Sequence, residues 1–337
     1  MKVLAVIPAR SGSKSIIHKN IKLLNGKPLM VYSIEHALQS ALINRVIVST
    51  DDKNYAEIAL RAGAEVPFIR PDEISLDDST DLEFFQHALK WLKENEEYVP
   101  DICVQLRPTH PVRKITDIDA MITLLTDDPD ADSVRSVVEN TNTIPYKMWF
   151  MNDDKSLKAL LGYPGHPEPY NMPRQLLPKT YFQNASVDII RTSCITNKNS
   201  LSGSKILGYL MNEQFDIDYE EDFSRVERFI RGAEFRKYRD KKLCFDIDGV
   251  IATITPDNDY SKAAPARNVI NLINELYDNG NKIILFTARG SETGLDWKNL
   301  TENQMKTWGV RYHELKFGKP GADIFIDDRA LNIKDLF

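Results

Sequence analysis

Cysteine is scarce in this sequence: only Cys103, Cys194 and Cys244 occur among 337 residues, with no CxxC or Cys/His spacing between them. That absence argues against a zinc centre or a disulfide framework. Cys103 and Cys244 fall inside apolar strand-like runs (101–106 and 242–246), where buried, reduced thiols are expected. Long apolar runs are missing too. The N-terminal stretch is apolar only as far as Pro8, too short for a signal segment, and nothing later approaches a membrane span, so a cytoplasmic protein with no membrane partner is expected. Positive charge has no excess: 43 Lys and Arg stand against 49 Asp and Glu, a net charge of −6, which leaves no overall footprint for nucleic acid. Internal repeats and low-complexity segments are absent. What remains is a globular composition, 42% hydrophobic and 27% charged, in a chain long enough for two domains.

Strand-like runs alternate with helical patterns from the start. Residues 3–7, 46–49, 66–69 and 102–106 read as buried strands, and residues 28–42, 82–94 and 116–125 carry apolar positions at helical spacing. Within the first helix these are Leu29, Tyr32, Ala37, Leu38 and Ala41, with Pro28 suited to the opening turn. Such alternation predicts an α/β fold with a mostly parallel, Rossmann-like sheet covered on both faces. Between 133 and 210 the pattern changes to shorter strands broken by loops, and residues 220–231 read as a closing helix. A charged stretch around Tyr238 precedes a second βα series: strand 243–246, helix 269–278, strand 282–286, helix 297–308 and strand 324–327. The boundary is therefore placed to give domains 1–237 and 238–337.

Directly after the first strand comes Pro8-Ala9-Arg10-Ser11-Gly12-Ser13-Lys14, followed by Lys19-Asn20. Small residues let backbone N–H groups approach an anion, and Arg10, Lys14 and Lys19 add positive charge at the strand end where an open α/β sheet binds ligands. The segment is neither a Walker A loop nor GxGxxG; taken alone, a solvated basic turn competes with a binding loop.

This opening resembles the signature of the acylneuraminate cytidylyltransferases, the CMP-sialic acid synthetase family. Further matches follow in order: Gly26-Lys27-Pro28-Leu29, Ser49-Thr50-Asp51-Asp52, Arg107-Pro108-Thr109-His110-Pro111-Val112-Arg113 and Phe215-Asp216-Ile217-Asp218. The resemblance implies that Arg10, Ser11, Gly12, Ser13, Lys14, Lys19 and Asn20 hold CTP, with Arg10 and Lys19 serving the chemistry. It implies in-line attack of a sugar oxygen on the α-phosphate with release of pyrophosphate. Mg²⁺ would be held by Asp216 and Asp218, two carboxylates at i, i+2. It also suggests a homo-oligomer, a dimer through the middle segment.

Two departures concern the acceptor. Arg107 stands where the family usually has glutamine, and could be a fork for a phosphate or carboxylate. Asn184-Ala185-Ser186-Val187-Asp188 replaces the usual Asn-Gly step. A nonulosonic (sialic-like) acid is the family default; a sugar-1-phosphate or polyol phosphate is the alternative. Arg107, Thr109, Arg174 and Gln175 are the expected acceptor contacts, with His110 a further pocket candidate; for Arg174 and Gln175 a structured surface loop is the competing reading.

In the second series, Phe245-Asp246-Ile247-Asp248-Gly249-Val250 follows a hydrophobic strand. Phosphate transfer through an aspartyl-phosphate suits this spacing: Asp246 as nucleophile, Asp248 as the acid protonating the leaving oxygen, Gly249 for the turn. Thr287 ends a second strand, Lys319 before Pro320 offers a cation, with Lys316 a second candidate, and Asp327-Asp328 close a further strand. Residues 242–337 resemble the haloacid dehalogenase (HAD) phosphatases. That implies a small capless HAD-like α/β domain hydrolysing a sugar phosphate, with Mg²⁺ on Asp246, the Asp248 backbone and Asp327 or Asp328. An oligomerisation module with little turnover is the competing reading.

Overall fold

The computed structural model describes residues 1–141, 143–212, 215–256, 259–291, 293–322, 324–325 and 327–337. The chain divides into two compact units, Met1–Val226 and Glu227–Phe337, and the division falls inside a helix, ahead of the charged stretch at 238.

The first unit runs β1 (Val3–Pro8), β2 (Leu23–Leu24), β3 (Lys27–Pro28), α1 (Leu29–Gln39), β4 (Arg45–Ser49), α2 (Lys53–Arg61), α3 (Asp81–Glu96), β5 (Ile102–Leu106) and α4 (Ile115–Asp127). It continues with β6 (Ser133–Glu139), β7 (Trp149–Met151), β8 (Leu157–Ala159), β9 (Tyr181–Arg191), α5 (Thr192–Lys198), β10 (Ile206–Leu210) and the start of α6 (Glu220–Phe235), the helix in which the division falls. Six strands form one sheet in the order β10-β6-β9-β5-β1-β4. β1 is parallel to β4 and β5, and β6 to β10; β9 alone opposes its neighbours β5 and β6.

Alternation along β1 shows why this sheet is covered on both faces. Val3, Ala5 and Ile7 pack with Met30 and Ile34 of α1 and Ile118, Met121 and Ile122 of α4, whereas Leu4 and Val6 pack with Phe85, Ala88 and Leu92 of α3 and Ile195 of α5. All five β1 residues are fully buried, worth roughly 1.5–3 kcal/mol for each of the larger side chains.

Three sequence expectations change here. Residues 66–69 form no strand: only Glu65 bridges to Ile47, because Pro67 offers no N–H to extend the ladder. The first helix starts after Pro28, which belongs to β3, and buries Met30, Ile34 and Ala37 while Leu38 faces out. β3 itself pairs with β2 through Asn25 and Gly26, both at positive φ, the pair a tight two-residue hairpin turn demands. The middle segment also holds the longest strand, β9, whose eleven residues join β5 to β6 across the sheet.

The second unit carries β11 (Lys242–Phe245), α7 (Arg267–Asp278), β12 (Lys282–Thr287), α8 (Lys298–Trp308) and β13 (Glu314–Phe317). Its three strands are parallel in the order β11-β12-β13. α7 turns Val269, Ile270, Leu272, Ile273 and Leu276 inward against Ile283 and Leu285 of β12 and Met305 of α8. The expected strand at 324–327 is not found at its described positions 324, 325 and 327, and Ile326 lies outside the described residues; the third strand is β13 instead. Cys103 is buried as expected, its thiol pushed up to about 12 by burial, but Cys244 is exposed, on the face of β11 opposite Leu243 and the buried Phe245.

Among the described residues no helix is long and apolar enough to cross a membrane.

Candidate functional site

The loop after β1 is held against β4. Ala9 N–H donates to the Ser49 carbonyl at 3.0 Å, and Ser11 donates to Asp51 from its backbone N–H (2.8 Å) and its hydroxyl (2.7 Å). This anchoring aims Arg10, Ser13 and Lys14 into a cleft of about 590 Å³ at the carboxyl ends of β1 and β5, which Lys19, Asn20, Arg107, Thr109 and Asp218 also line. Ser11 and Gly12 do not line it; Ser11 serves as the anchor. Asn20 is nearly buried and donates to the Arg10 carbonyl at 2.9 Å, fixing the loop from its far side.

Lys19 reaches across the loop to the segment before α6, donating to the Ile217 carbonyl at 2.8 Å and lying 3.3 Å from Asp218 Oδ1. Burial, followed by the Asp218 charge, raises the Asp216 carboxyl above its ordinary range. Two carboxylates so placed repel, and a divalent cation relieves that repulsion. His110 Nδ1 lies 3.7 Å from Asp216, but burial lowers the imidazole to about 3, so this is no ion pair at neutral pH. His110 is buried and does not line the cleft. Among the described residues no group of three or more His, Cys, Asp or Glu is arranged to hold a metal.

The cleft also contains residues the sequence reading passed over. Arg70 is buried, donates to Ser49 Oγ (3.0 Å) and the Ser49 carbonyl, and lies 5.0 Å from the Phe84 ring centroid. With no carboxylate in hydrogen-bond contact among the described residues, burial lowers its guanidinium to about 10 even though Asp51 and Asp81 act the other way. Its sequence signal was faint: one arginine between Ile69 and Pro71, just after a stretch read as strand. Asp77 is the other omission. It pairs with Arg10 at 3.1 Å and with Lys14, so one carboxylate engages two of the cations expected to meet phosphate.

On the acceptor side the structure revises the reading. Arg107 lines the cleft, but its terminal nitrogens are engaged: by Asp81 (2.6 Å) on one side, and by Asp188 (2.7 Å) and the Ala185 carbonyl (3.1 Å) on the other. Burial opposes its charge, and Asp188 and Asp81 overcome that and raise it. Asp188 is fully buried on β9 and also pairs with Arg135 at 2.7 Å. The residue that breaks the Asn-Gly pattern, Ala185, sits at φ 53, a conformation glycine adopts more easily. Arg174 and Gln175 do not join this cleft; they line a separate cavity of about 420 Å³ with Asn140, Tyr146 and Lys179, where Arg174 donates to the Thr141 carbonyl.

In the second unit a cavity of about 310 Å³ opens beyond β11 and β12, lined by Asp246, Asp248, Arg289, Lys319 and Phe325 among others. Gly249, at φ 82, turns the chain out after Asp248. Lys319 pairs with Asp246 and lies 4.2 Å from the Phe325 ring centroid, which makes it the lysine of this cavity; Lys316 is on β13 and pairs with Glu314. Arg289 grips Asp248 with two bonds, 2.9 and 2.7 Å. Thr287 is buried beneath the cavity rather than lining it, its hydroxyl accepting the Arg289 N–H at 3.1 Å. Asp327 and Asp328 are exposed and do not line the cavity. Both carboxylates that do line it face a cation, Asp246 the Lys319 ammonium and Asp248 the Arg289 guanidinium.

A family model described as Cytidylyltransferase matches residues 4–230. The chain is 32% identical over 224 residues to an N-acylneuraminate cytidylyltransferase of Escherichia coli O18:K1:H7, covering 66% of this chain and 50% of that protein. It is 42% identical over 103 residues to a pseudaminic acid cytidylyltransferase of Campylobacter jejuni, covering 31% of this chain and 44% of that one. The chain thus spans about half the length of these relatives. A solved CMP:2-keto-3-deoxy-manno-octonic acid synthetase complexed with CTP aligns with a TM-score of 0.52 at 17% identity, over 69% of this chain and 100% of that one, a likeness of fold.

Proposed function

The chain belongs to the cytidylyltransferase family, and from that premise we propose that its first unit transfers CMP from CTP to a nonulosonic acid. The observation that carries this reading is the cation-lined cleft at the ends of β1 and β5, where Arg10, Lys14, Lys19 and Arg70 surround a space of nucleotide size. The acceptor class comes from the two relatives, both of which are named for such acids.

In the proposed reaction an acceptor hydroxyl oxygen attacks the α-phosphorus, the bond to the β-phosphate oxygen breaks, and pyrophosphate leaves. Arg10, Lys14 and Arg70 neutralise phosphate charge, and Lys19 holds the loop to the Asp216–Asp218 segment. Mg²⁺ fits those two carboxylates: they are hard oxygen donors under mutual repulsion, and this ion commonly takes one or two carboxylates plus substrate phosphates. Bound there, it would supply further charge neutralisation. The engagement of Arg107 by Asp81 and Asp188 makes it an argument for neither a phosphorylated nor a carboxylate-bearing acceptor.

Pyrophosphate release with Mg²⁺ tests this, comparing CTP, UTP, GTP and ATP, each with free nonulosonic acids and with sugar phosphates. Release confined to CTP and a nonulosonic acid is expected; release only with a phosphorylated acceptor overturns the acceptor assignment.

The second unit is proposed as a HAD-type phosphohydrolase acting on a sugar phosphate, on the strength of Asp246, Asp248 and Lys319 sharing one cavity. A homo-oligomer through the β7–β8 hairpin is proposed as well. That hairpin leaves Trp149, Phe150, Met151 and Leu157 exposed, and an isolated two-stranded hairpin is marginal without a covering partner. Sedimentation at graded concentrations should show association that a Phe150→Asp change disrupts.

A further inference from the structure

We propose that Arg289 is the positioning residue for the acid–base carboxylate Asp248, an inference that rests on the phosphohydrolase reading of the second unit. Arg289 is not among the residues its chemistry calls for, yet its side chain is held at every nitrogen. Its guanidinium is fully buried, and each of its three nitrogens is committed. Nε donates to Asp248 Oδ2 at 2.9 Å and one terminal nitrogen donates to Oδ1 at 2.7 Å, a side-on fork that fixes the carboxylate plane. The other terminal nitrogen donates to Thr301 Oγ1 (3.1 Å) and Gln304 Oε1 (2.6 Å).

The support extends one layer further. Gln304 is itself fixed by donating to the Tyr260 carbonyl at 2.7 Å, and the Arg289 guanidinium lies 4.6 Å from the Tyr260 ring centroid. Directly after Arg289, Gly290 turns the chain at φ 82, where any side chain would collide with the Leu295 carbonyl. β12, this turn and α8 therefore aim one guanidinium at one carboxylate.

The chemistry explains why aim matters. Asp246 attacks phosphorus, the bond to the leaving oxygen breaks, and that oxygen takes a proton from Asp248. Water then attacks the phosphorus of the aspartyl-phosphate, its proton passes to Asp248, and inorganic phosphate departs with Asp246 restored. Asp248 moves a proton in both halves, so its oxygens must meet first the leaving oxygen and then the water. A fork on both oxygens holds the plane that permits this.

Proton donation matters in proportion to the basicity of the leaving group, and this separates positioning from a structural role. The test compares the full-length wild type, R289Q and R289K on p-nitrophenyl phosphate and on a hexose 6-phosphate, with thermal unfolding as a control. R289Q should lose about 10²-fold on the alkyl ester and only about a few-fold on the aryl ester, with R289K partly restoring the alkyl activity. Equal losses on both esters in an active wild-type background overturn the inference alone. Wild type inactive on both esters overturns the phosphohydrolase reading and the inference with it. If R289Q does not fold, the same ratio is read on R289K, where an unchanged ratio counts against positioning.

Discussion

The first-unit cleft and the second-unit cavity treat charge in opposite ways. The first-unit cleft gathers five cations, Arg10, Lys14, Lys19, Arg70 and Arg107, against three carboxylates, Asp77, Asp81 and Asp218. The second-unit cavity balances two against two, with Lys319 on Asp246 and Arg289 on Asp248. Surplus cation suits a ligand with several phosphates that is bound and cleaved without covalent capture. Matched charge suits a single phosphoryl group that a carboxylate attacks, since each acid must keep a defined partner until substrate arrives. In the first site charge is a reservoir; in the second it is a set of fixed directions.

The contrast can be broken most sharply at the proposed nucleophile. Asp246→Asn should reduce phosphate release from a sugar phosphate by about 10³-fold or more while CMP transfer stays near wild type. Loss of both activities in a folded variant would mean that the two sites are not chemically separate. Next comes the cation surplus: Lys19→Met should lower kcat/KM for CTP by roughly 10²-fold and leave phosphate release unaffected.

Acid should separate the units as well. In the first unit burial lowers His36 and His110 to about 3 from an ordinary 6.5. Unfolding lets them take protons, so their contribution is fully present above pH 6.5 and is lost progressively as pH falls from there toward 3. Thermal unfolding between pH 7 and 5 should therefore show falling stability for the wild type, and a flatter profile for the double change His36→Gln with His110→Gln. An unchanged slope in that variant would assign the acid sensitivity elsewhere. The smallest effect concerns Asp77, whose pairs with Arg10 and Lys14 are partly exposed. Asp77→Asn should free both cations and tighten CTP binding about two- to fivefold by calorimetry; weaker binding would make Asp77 a support of the loop instead.

The sequence was most legible where local pattern and tertiary role coincide. β1 and β5 announced themselves as apolar runs, and the loop between β1 and Asn20 carried its cations in one short segment. Pattern failed where position depends on distant partners. Arg70 reaches the cleft only because the chain returns alongside β4, and Pro67 hid that return inside a strand-like run. Arg174 looked like a companion of Arg107 by composition, yet the two line different cavities. Asp327 and Asp328 had the right residue types, but the described positions of their expected strand are not in strand, and the third strand of the sheet is β13, earlier in the chain. Arg289 followed a recognised hydroxyl by two residues and went unread, because its worth lies in what it holds.

Asp188 gives the cleft a hidden dependency. One fully buried carboxylate on β9 serves arginines from both flanking strands' neighbourhoods, Arg107 after β5 and Arg135 on β6. Stripping a partner from a buried charge is commonly worth about 3–5 kcal/mol. An Arg107 variant would therefore report first on whether the sheet's one reversed strand still sits in register, and only then on the acceptor. In mutational scans position 107 will score as architecture, and acceptor preference will have to be engineered through residues that do not answer to Asp188.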